Sequence, residues 1–245
     1  ALQTLLMLFV ELIQGLLIVG GAVYIASIAW LLRGLYRPEV EGDEGVSPSL
    51  SIIVAARNEE AVLEGCLQAL EKQDYMGEWE VVLVDDRSED KTGEIGTDWM
   101  NRWDQLRAVR APDNTAFACP KKSALAVGIA SARGEILLFT DADCRPPPDW
   151  ARRTAARFAP DVGLVAGHAH TLEGHSLIQR ILSVENSAVG ALGAGSFAQG
   201  HPLSCTGRNL AYRKSVYDEV GGFAPIGHML GGDDVYFMRL VAQAG

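Results

Sequence analysis

Apolar positions along the chain fall into two regimes. From Leu12 to Leu32 the run LIQGLLIVGGAVYIASIAWLL carries no charged residue, and Gln14 is its one strongly polar member. At helical rise this run covers roughly 30 Å, the thickness of a bilayer core. A buried soluble helix would be shorter and would show a polar face, and a cleaved signal peptide would have a shorter apolar run and a small-residue cleavage site. The pattern predicts a transmembrane helix. Arg33 and Arg37 follow it directly, whereas the residues before it carry only Glu11. The positive-inside rule then puts the rest of the chain on the cytoplasmic side of the cell membrane. Trp30 and Tyr36 suit the interfacial belt at that end, and Gly15, Gly20 and Gly21 would permit close helix packing.

Beyond the span the pattern changes to short apolar runs alternating with amphipathic stretches. Residues 38–48 (PEVEGDEGVSP) are acidic and poor in apolar positions, and read as a linker. Strands are predicted at 50–55, 80–84, 106–110, 135–140 and 162–167. Helices are predicted at 59–72, 90–102, 122–132 and 150–158; in the first, Val62, Cys66, Leu67 and Leu70 repeat at helical spacing. Apolar strands alternating with helices predict an α/β fold with a mainly parallel sheet covered on both faces. The predicted organisation is a membrane anchor over residues 1–37, a linker over 38–48 and a catalytic domain over 49–245. The chain begins with Ala1 and closes at Ala244-Gly245 inside a helical pattern, so both ends are expected to be cuts.

Composition narrows the function. Hydrophobic residues make up 48% and charged residues 21%, enough for a core and against disorder. The net charge of −10 argues against a nucleic-acid partner. Cys66, Cys119, Cys144 and Cys205 form no CxxC pair, and they read as free thiols rather than a zinc site or disulfide framework. His168, His170, His175, His201 and His228 lack regular ligand spacing; His168 and His170 could share a strand face, but nothing completes a metal set.

Polar clusters close three of the predicted strands: Ala55-Ala56-Arg57-Asn58-Glu59-Glu60, Asp85-Asp86-Arg87-Ser88-Glu89-Asp90, and Asp141-Ala142-Asp143-Cys144. Each alone could be a solvated loop capping the next helix. Three at equivalent strand ends converge on one crevice, where open α/β sheets bind ligands. Asp141 and Asp143 are two apart, so an extended segment would turn both carboxylates to one face. Hard cations such as Mg²⁺ or Mn²⁺ prefer oxygen ligands and typically take one or two carboxylates plus substrate phosphates. Such a cation would let an acidic protein hold a diphosphate. Lys121 and Lys122, ahead of the strand that ends in Asp141, could add positive charge there.

In order, SIIVAARNEE, VVLVDDRSEDKT, PKKSALAVGIASARGEILLFTDADC, TGRNLAYRKSVYDEVGGF and GGDDVYFMRL resemble glycosyltransferase family 2 with its GT-A fold. The similarity runs from about Ser49 to the end, and it is the order and spacing of the motifs that make it specific. The resemblance implies that Ala55, Arg57 and Glu59 form the nucleotide-binding turn. It implies that Asp86 binds the base with Asp85 beside it, and that Lys121 is the family's lysine, although Pro120 stands where glycine is usual. Asp141 and Asp143 match the DxD motif, the first toward ribose or sugar, the second toward a metal on the diphosphate. Asp234 matches the catalytic base and Asp233 the acid before it, usually Glu. Gly207, Arg208 and Asn209 fall where the acceptor side is built, with Arg208 replacing a small residue. Gly221-Gly222-Phe223 reads as a structural turn. The reaction that the resemblance implies is an inverting transfer from a nucleotide-diphosphate sugar, by preference a UDP-sugar, to a hydroxyl acceptor, lipid-linked or polysaccharide. In that single displacement an ionised Asp234 takes the hydroxyl proton.

Two other enzyme classes fit less well. A sugar nucleotidyltransferase usually opens with a glycine-rich loop where AARNEE stands, and a nicotinamide-binding enzyme would show GxGxxG after a strand. A membrane-bound scaffold that binds nucleotide sugar without turnover is the non-enzyme alternative, against which the DxD motif and Asp234 argue. Processive synthases usually carry Gln-x-x-Arg-Trp after the acidic pair, in a region beyond Gly245.

Overall fold

The computed structural model describes residues 2–37, 47–171 and 176–244. The first segment is a single helix, α1 (Leu2–Leu35). It extends the predicted span at both ends, because residues 2–10 continue the apolar pattern. Its 34 residues reach about 50 Å, more than a hydrocarbon core requires. It is long and apolar enough to cross a membrane. Its side chains are exposed until its last turns, where Gly34 is buried. Most of the predicted linker, residues 38–46, lies outside the described residues, as does His175.

The rest is a mixed sheet with helices on both faces. In chain order come β1 (Leu50–Ala56), α2 (Leu63–Glu71), β2 (Trp79–Asp85), α3 (Thr92–Met100), β3 (Leu106–Arg110), α4 (Pro120–Ser131), β4 (Ile136–Asp141) and α5 (Trp150–Ala155). These are followed by β5 (Leu164–Ala166), α6 (Leu177–Phe197), β6 (Leu210–Arg213), α7 (Lys214–Glu219) and α8 (Val235–Ala244). The strand order is β3-β2-β1-β4-β6-β5. Strands β1 to β4 pair in parallel, and β6 runs antiparallel to both β4 and β5. The chain winds outward from β1 to β3, then crosses to β4 on the other side of β1. That reversal opens a crevice beyond the carboxyl ends of β1 and β4.

Alternation along the central strands feeds two cores. Ile52, Val54, Val81, Leu83 and Leu138 pack on one face with Leu63, Leu67 and Leu70 of α2, Trp99 of α3 and Trp150 of α5. Ile53, Val82, Val84, Leu137 and Phe139 pack on the other with Leu125 and Ile129 of α4, Tyr212 of β6 and Phe237 of α8. Both faces are therefore apolar, as near-continuous hydrophobic strands require.

At the amino ends of the strands, away from the crevice, a part-buried polar knot links them. The Glu80 carboxylate accepts from Ser51 Oγ at 2.8 Å and from the Arg133 amide at 2.7 Å, and pairs with Arg107. Gly134 N donates to Ser51 Oγ at 2.8 Å. One carboxylate thus joins β1, β2, β3 and the entry to β4.

The structure corrects several expected boundaries. The predicted helix from Glu59 starts at Leu63, after a turn over residues 60–62, with the amides of Asn58, Glu59 and Glu60 donating to Ser88, Thr92 and Asp90 side chains. The strand predicted at 162–167 shortens to Leu164–Ala166. Helix α6 and strand β6 went unpredicted.

Candidate functional site

The turn after β1 and the turn after β2 are built as one unit. Asn58 (φ 56°) and Arg87 (φ 59°) both take the left-handed conformation, which non-glycine residues seldom adopt without local hydrogen bonds. Those bonds are present. Ser88 Oγ accepts from Asn58 N at 3.0 Å, and Asn58 Oδ1 accepts from Glu89 N at 2.9 Å. Thr92 Oγ1 accepts from Glu59 N at 2.8 Å, and Glu60 Oε2 accepts from Lys91 N at 3.0 Å. Within this unit Asp85 closes β2, buried, accepting from Ser88 N at 2.9 Å and pairing with Arg110 at 2.6 Å. Asp86 is also buried and accepts from Arg87 Nε at 2.9 Å. Arg57 projects into solvent from the same turn.

Strand β4 delivers Asp141 to the crevice as its last residue. Asp143 lies two residues past the strand, in a turn closed by Cys144 N donating to Asp141 O at 3.0 Å. Strand alternation therefore does not align the two carboxylates, contrary to expectation. They still share a neighbourhood: the Glu59 carboxyl is raised above its ordinary value by burial first, then by Asp143, Asp141 and Asp90.

From the other side, the loop before α8 brings Asp233 and Asp234. Lys121, in the first turn of α4, spans the gap. Its Nζ lies 2.8 Å from Asp141 Oδ1 and 3.9 Å from Asp233 Oδ2. Burial opposes the charge on Lys121, but Asp141, Asp233 and Asp234 outweigh it and raise its pKa. Asp233 is raised in turn, by burial first, with Lys121 pulling it down and Asp234 and Asp141 pushing it up. Asp234 is held by backbone: Gly207 N donates to its Oδ2 at 3.0 Å and Val235 N to its Oδ1 at 2.6 Å.

Lys122 does not join this cluster. It is fully buried, and its Nζ donates to the carbonyls of Ile226 and Met229, each at 2.9 Å. The expectation that it would add charge beside a phosphate is overturned. One residue along a helix turns a side chain by about 100°, so Lys121 faces the crevice and Lys122 the interior. Lys122 anchors the loop that leads to Asp233, a role that sequence reasoning missed.

In the segment before β6, Arg208 Nη2 donates to Asn186 Oδ1 of α6 at 3.3 Å, and its Nε to Thr206 Oγ1 at 3.3 Å. The Asn209 amide is engaged within the protein, accepting from Trp150 Nε1 and donating to His168 O, both at 2.9 Å. His168 and His170 meet edge to face, ring centroids 4.5 Å apart. Burial, His170 and Arg208 lower the His168 pKa. Burial pushes the Cys66 and Cys205 thiols up to about 12, with Asp234 and Asp233 adding to the second, which disfavours the thiolate at both.

Among the described residues no three His, Cys, Asp or Glu side chains form a closed metal cage. The donor set is carboxylate oxygen at Asp143 and Asp141, with Glu59 close enough to feel their charge. That set fits a hard cation that completes its shell with phosphate oxygens, and does not fit a zinc-type site.

A family model described as Glycosyl transferase family 2 matches residues 51–221. Glycosyltransferase AglE of Haloferax volcanii is 28% identical over 202 residues, covering 81% of this chain and 62% of its own. A beta-monoglucosyldiacylglycerol synthase of Synechocystis is 36% identical over 125 residues, covering 50% of this chain and 26% of its own. The chain thus spans less than two thirds of the length of these curated relatives. Among solved structures, the mannosyltransferase PcManGT of Pyrobaculum calidifontis, in complex with GDP-Man and Mn²⁺, superposes with a TM-score of 0.67 at 24% identity. That match covers 91% of this chain and 63% of the other.

Proposed function

The chain belongs to glycosyltransferase family 2, and from that membership we propose that it is a membrane-anchored, metal-dependent, inverting glycosyltransferase. The observation that carries the reading is Lys121, poised between Asp141 at the end of β4 and Asp233 before α8. It draws the donor-side carboxylates and the acidic pair, distant in sequence, to one crevice.

In this reading the turns after β1 and β2, with Ala55, Arg57, Glu59, Asp85 and Asp86, take the nucleoside. Lys121 lies against the diphosphate and Asp141 against the ribose or sugar. Asp143, with Asp141 beside it, would hold a Mg²⁺ or Mn²⁺, whose charge offsets that of the diphosphate oxygens. Asp234, fixed by the amides of Gly207 and Val235, accepts the proton of the acceptor hydroxyl as that oxygen attacks the anomeric carbon. The bond from the anomeric carbon to the diphosphate breaks as the new one forms, so the anomeric configuration inverts. Asp233 supports Lys121. Gly207 and Arg208 border the acceptor.

Helix α1 is the anchor, with the catalytic unit from Ser49 onward on the cytoplasmic side. A lipid acceptor is favoured, since the anchor holds the site near a bilayer and the Synechocystis relative is named for a glycolipid product. The base is a matter for experiment: the motif resemblance implies uracil, whereas the Pyrobaculum neighbour holds GDP-Man.

Calorimetry on the detergent-solubilised chain tests the reading. UDP, GDP and dTDP would each be titrated with Mn²⁺ or Mg²⁺ and again with EDTA, in the parent and in Asp143→Ala. The expected result is binding of one nucleotide, lost with EDTA and weakened at least tenfold in the variant, about 1.4 kcal/mol. Absence of binding by a folded sample would sink the donor-site assignment.

A further inference from the structure

Helix α6 meets the site side near its middle and α1 near its C-terminal end, and leaves much of its first half uncovered. Asn186, midway along it, donates to Ala169 O at 2.7 Å and accepts from Arg208. At Gly190 an added Cβ would meet the His168 ring. These contacts tie the middle of the helix to the loop that carries Arg208. On the opposite side Leu177, Ile178, Ile181, Leu182 and Val189 are 48 to 72% exposed. They recur at i, i+1, i+4, i+5 and i+12, the spacing of one helical face. A row of large apolar side chains left open marks a contact surface rather than scatter.

The position of α1 indicates what covers that face. Gly34 of α1 and Gly195 of α6 meet backbone to backbone, so closely that a Cβ on Gly34 would sit 2.0 Å from Gly195 O. Around this crossing Arg37 Nη1 donates to Ala198 O at 2.5 Å, and Gln199 Nε2 to Trp30 O at 3.0 Å. The crossing thus lies among Trp30, Arg33 and Arg37, the aromatic and basic side chains that sit at headgroup level at the end of a membrane span. Helix α6 cannot span the bilayer itself, because Asn186 holds its middle on the catalytic unit. It leaves the headgroup plane of α1 with its apolar face uncovered, as an in-plane interfacial helix does. Glu185 divides that face and keeps the helix at headgroup depth.

We propose that α6 lies in the bilayer interface, with Leu177, Ile178, Ile181, Leu182 and Val189 in the acyl-chain boundary. The other side of the same helix holds Arg208. Through Gly207, Arg208 adjoins the Asp234 carboxylate, so the helix would seat the acceptor mouth directly on the membrane surface. The inference rests on α1 being a membrane span, and the experiment separates the two.

Ile181→Cys, Val189→Cys and, in α1, Val19→Cys would each be labelled with an environment-sensitive fluorophore. The background would be the full chain with Cys144→Ser and Cys205→Ser; Cys66 and Cys119 are buried. Each labelled chain is reconstituted in vesicles of phosphatidylcholine and phosphatidylglycerol, with or without acyl-brominated lipid, and challenged separately with aqueous iodide. The expected result is strong bromine quenching and weak iodide quenching at positions 19, 181 and 189, with the α6 labels shallower than the α1 label. Bromine quenching at 19 alone, with iodide reaching 181 and 189, would overturn the interfacial helix and leave the anchor standing. Protection of 181 and 189 from both quenchers would overturn it in favour of a protein partner, such as a second copy. Iodide access at all three would overturn the anchor and the inference together.

Discussion

Asp234 is oriented by two amides, which leaves little freedom in where its carboxylate points. Asparagine would preserve the shape but could not accept a proton. Asp234→Asn is therefore expected to lower kcat by about 10²- to 10⁴-fold while nucleotide affinity stays unchanged. Release of nucleoside diphosphate, measured with acceptor-containing membranes, reports this, and undiminished turnover would remove Asp234 as the base. Lys122, turned away from the crevice, illustrates the opposite use of a polar residue. Lys122 acts inward, satisfying the carbonyls of Ile226 and Met229. Lys122→Met keeps the bulk of the stem but strands both acceptors in the interior. The expected cost is about 2–4 kcal/mol, seen as a lower thermal midpoint in detergent. An unchanged midpoint would mean that the loop before Asp233 is held by other contacts.

At the scale of elements, the parallel strands are pinned at one end and functional at the other. The pinned end depends on Glu80. Burial works to raise its pKa, but the Arg133 amide, the Ser51 hydroxyl and Arg107 outweigh burial and hold it below the ordinary value. A lowered folded pKa means that the stabilisation is complete above the unfolded-chain value and is lost as pH falls through the folded one. Glu80→Gln is expected to destabilise by about 1–3 kcal/mol at neutral pH, with the gap to the parent closing in acid. Thermal melts across that range decide it, since a gap independent of pH would point to packing rather than charge. At the opposite end, the turns after β1 and β2 hold each other through side chain to amide bonds.

For the molecule as a whole, the contact between α1 and α6 fixes how the N-terminal helix meets the rest of the chain. Only glycine permits it: a Cβ on Gly195 would sit 2.7 Å from Leu31 O. Gly195→Leu is expected to separate the helices, release the Arg37 and Gln199 bonds, and cost about 1–3 kcal/mol through overpacking. Hydrogen exchange in detergent should speed up over residues 196–203 and remain unchanged in β1 and β2. Unaltered exchange in that segment would show that the helices can re-pack. The net charge of −10 also acts at this scale. It leaves Lys121 among carboxylates and makes a cation a natural companion for any diphosphate in the crevice.

Local sequence dictates the elements whose side chains have one physical option. Strands β1, β2 and β4 carry apolar runs because both faces of the sheet are covered, and α1 shows as a candidate span because residues 12–32 carry no charge. The strand-end clusters were legible because Asp and Asn concentrate where chains turn toward a crevice. Family resemblance supplied the pairing of Asp233 with Asp234. Long-range packing settled whatever depends on a distant partner. It alone set Lys122 inward against carbonyls more than a hundred residues away. It tied the amides before α2 to Ser88, Thr92 and Asp90, and took Asp143 off the strand into a turn. It revealed α6, whose glycines weaken the helical signal and whose apolar face has no protein core to meet, and the four-residue β6, too short to carry a period. Periodicity records which face of an element is buried, but only the fold fixes what buries it.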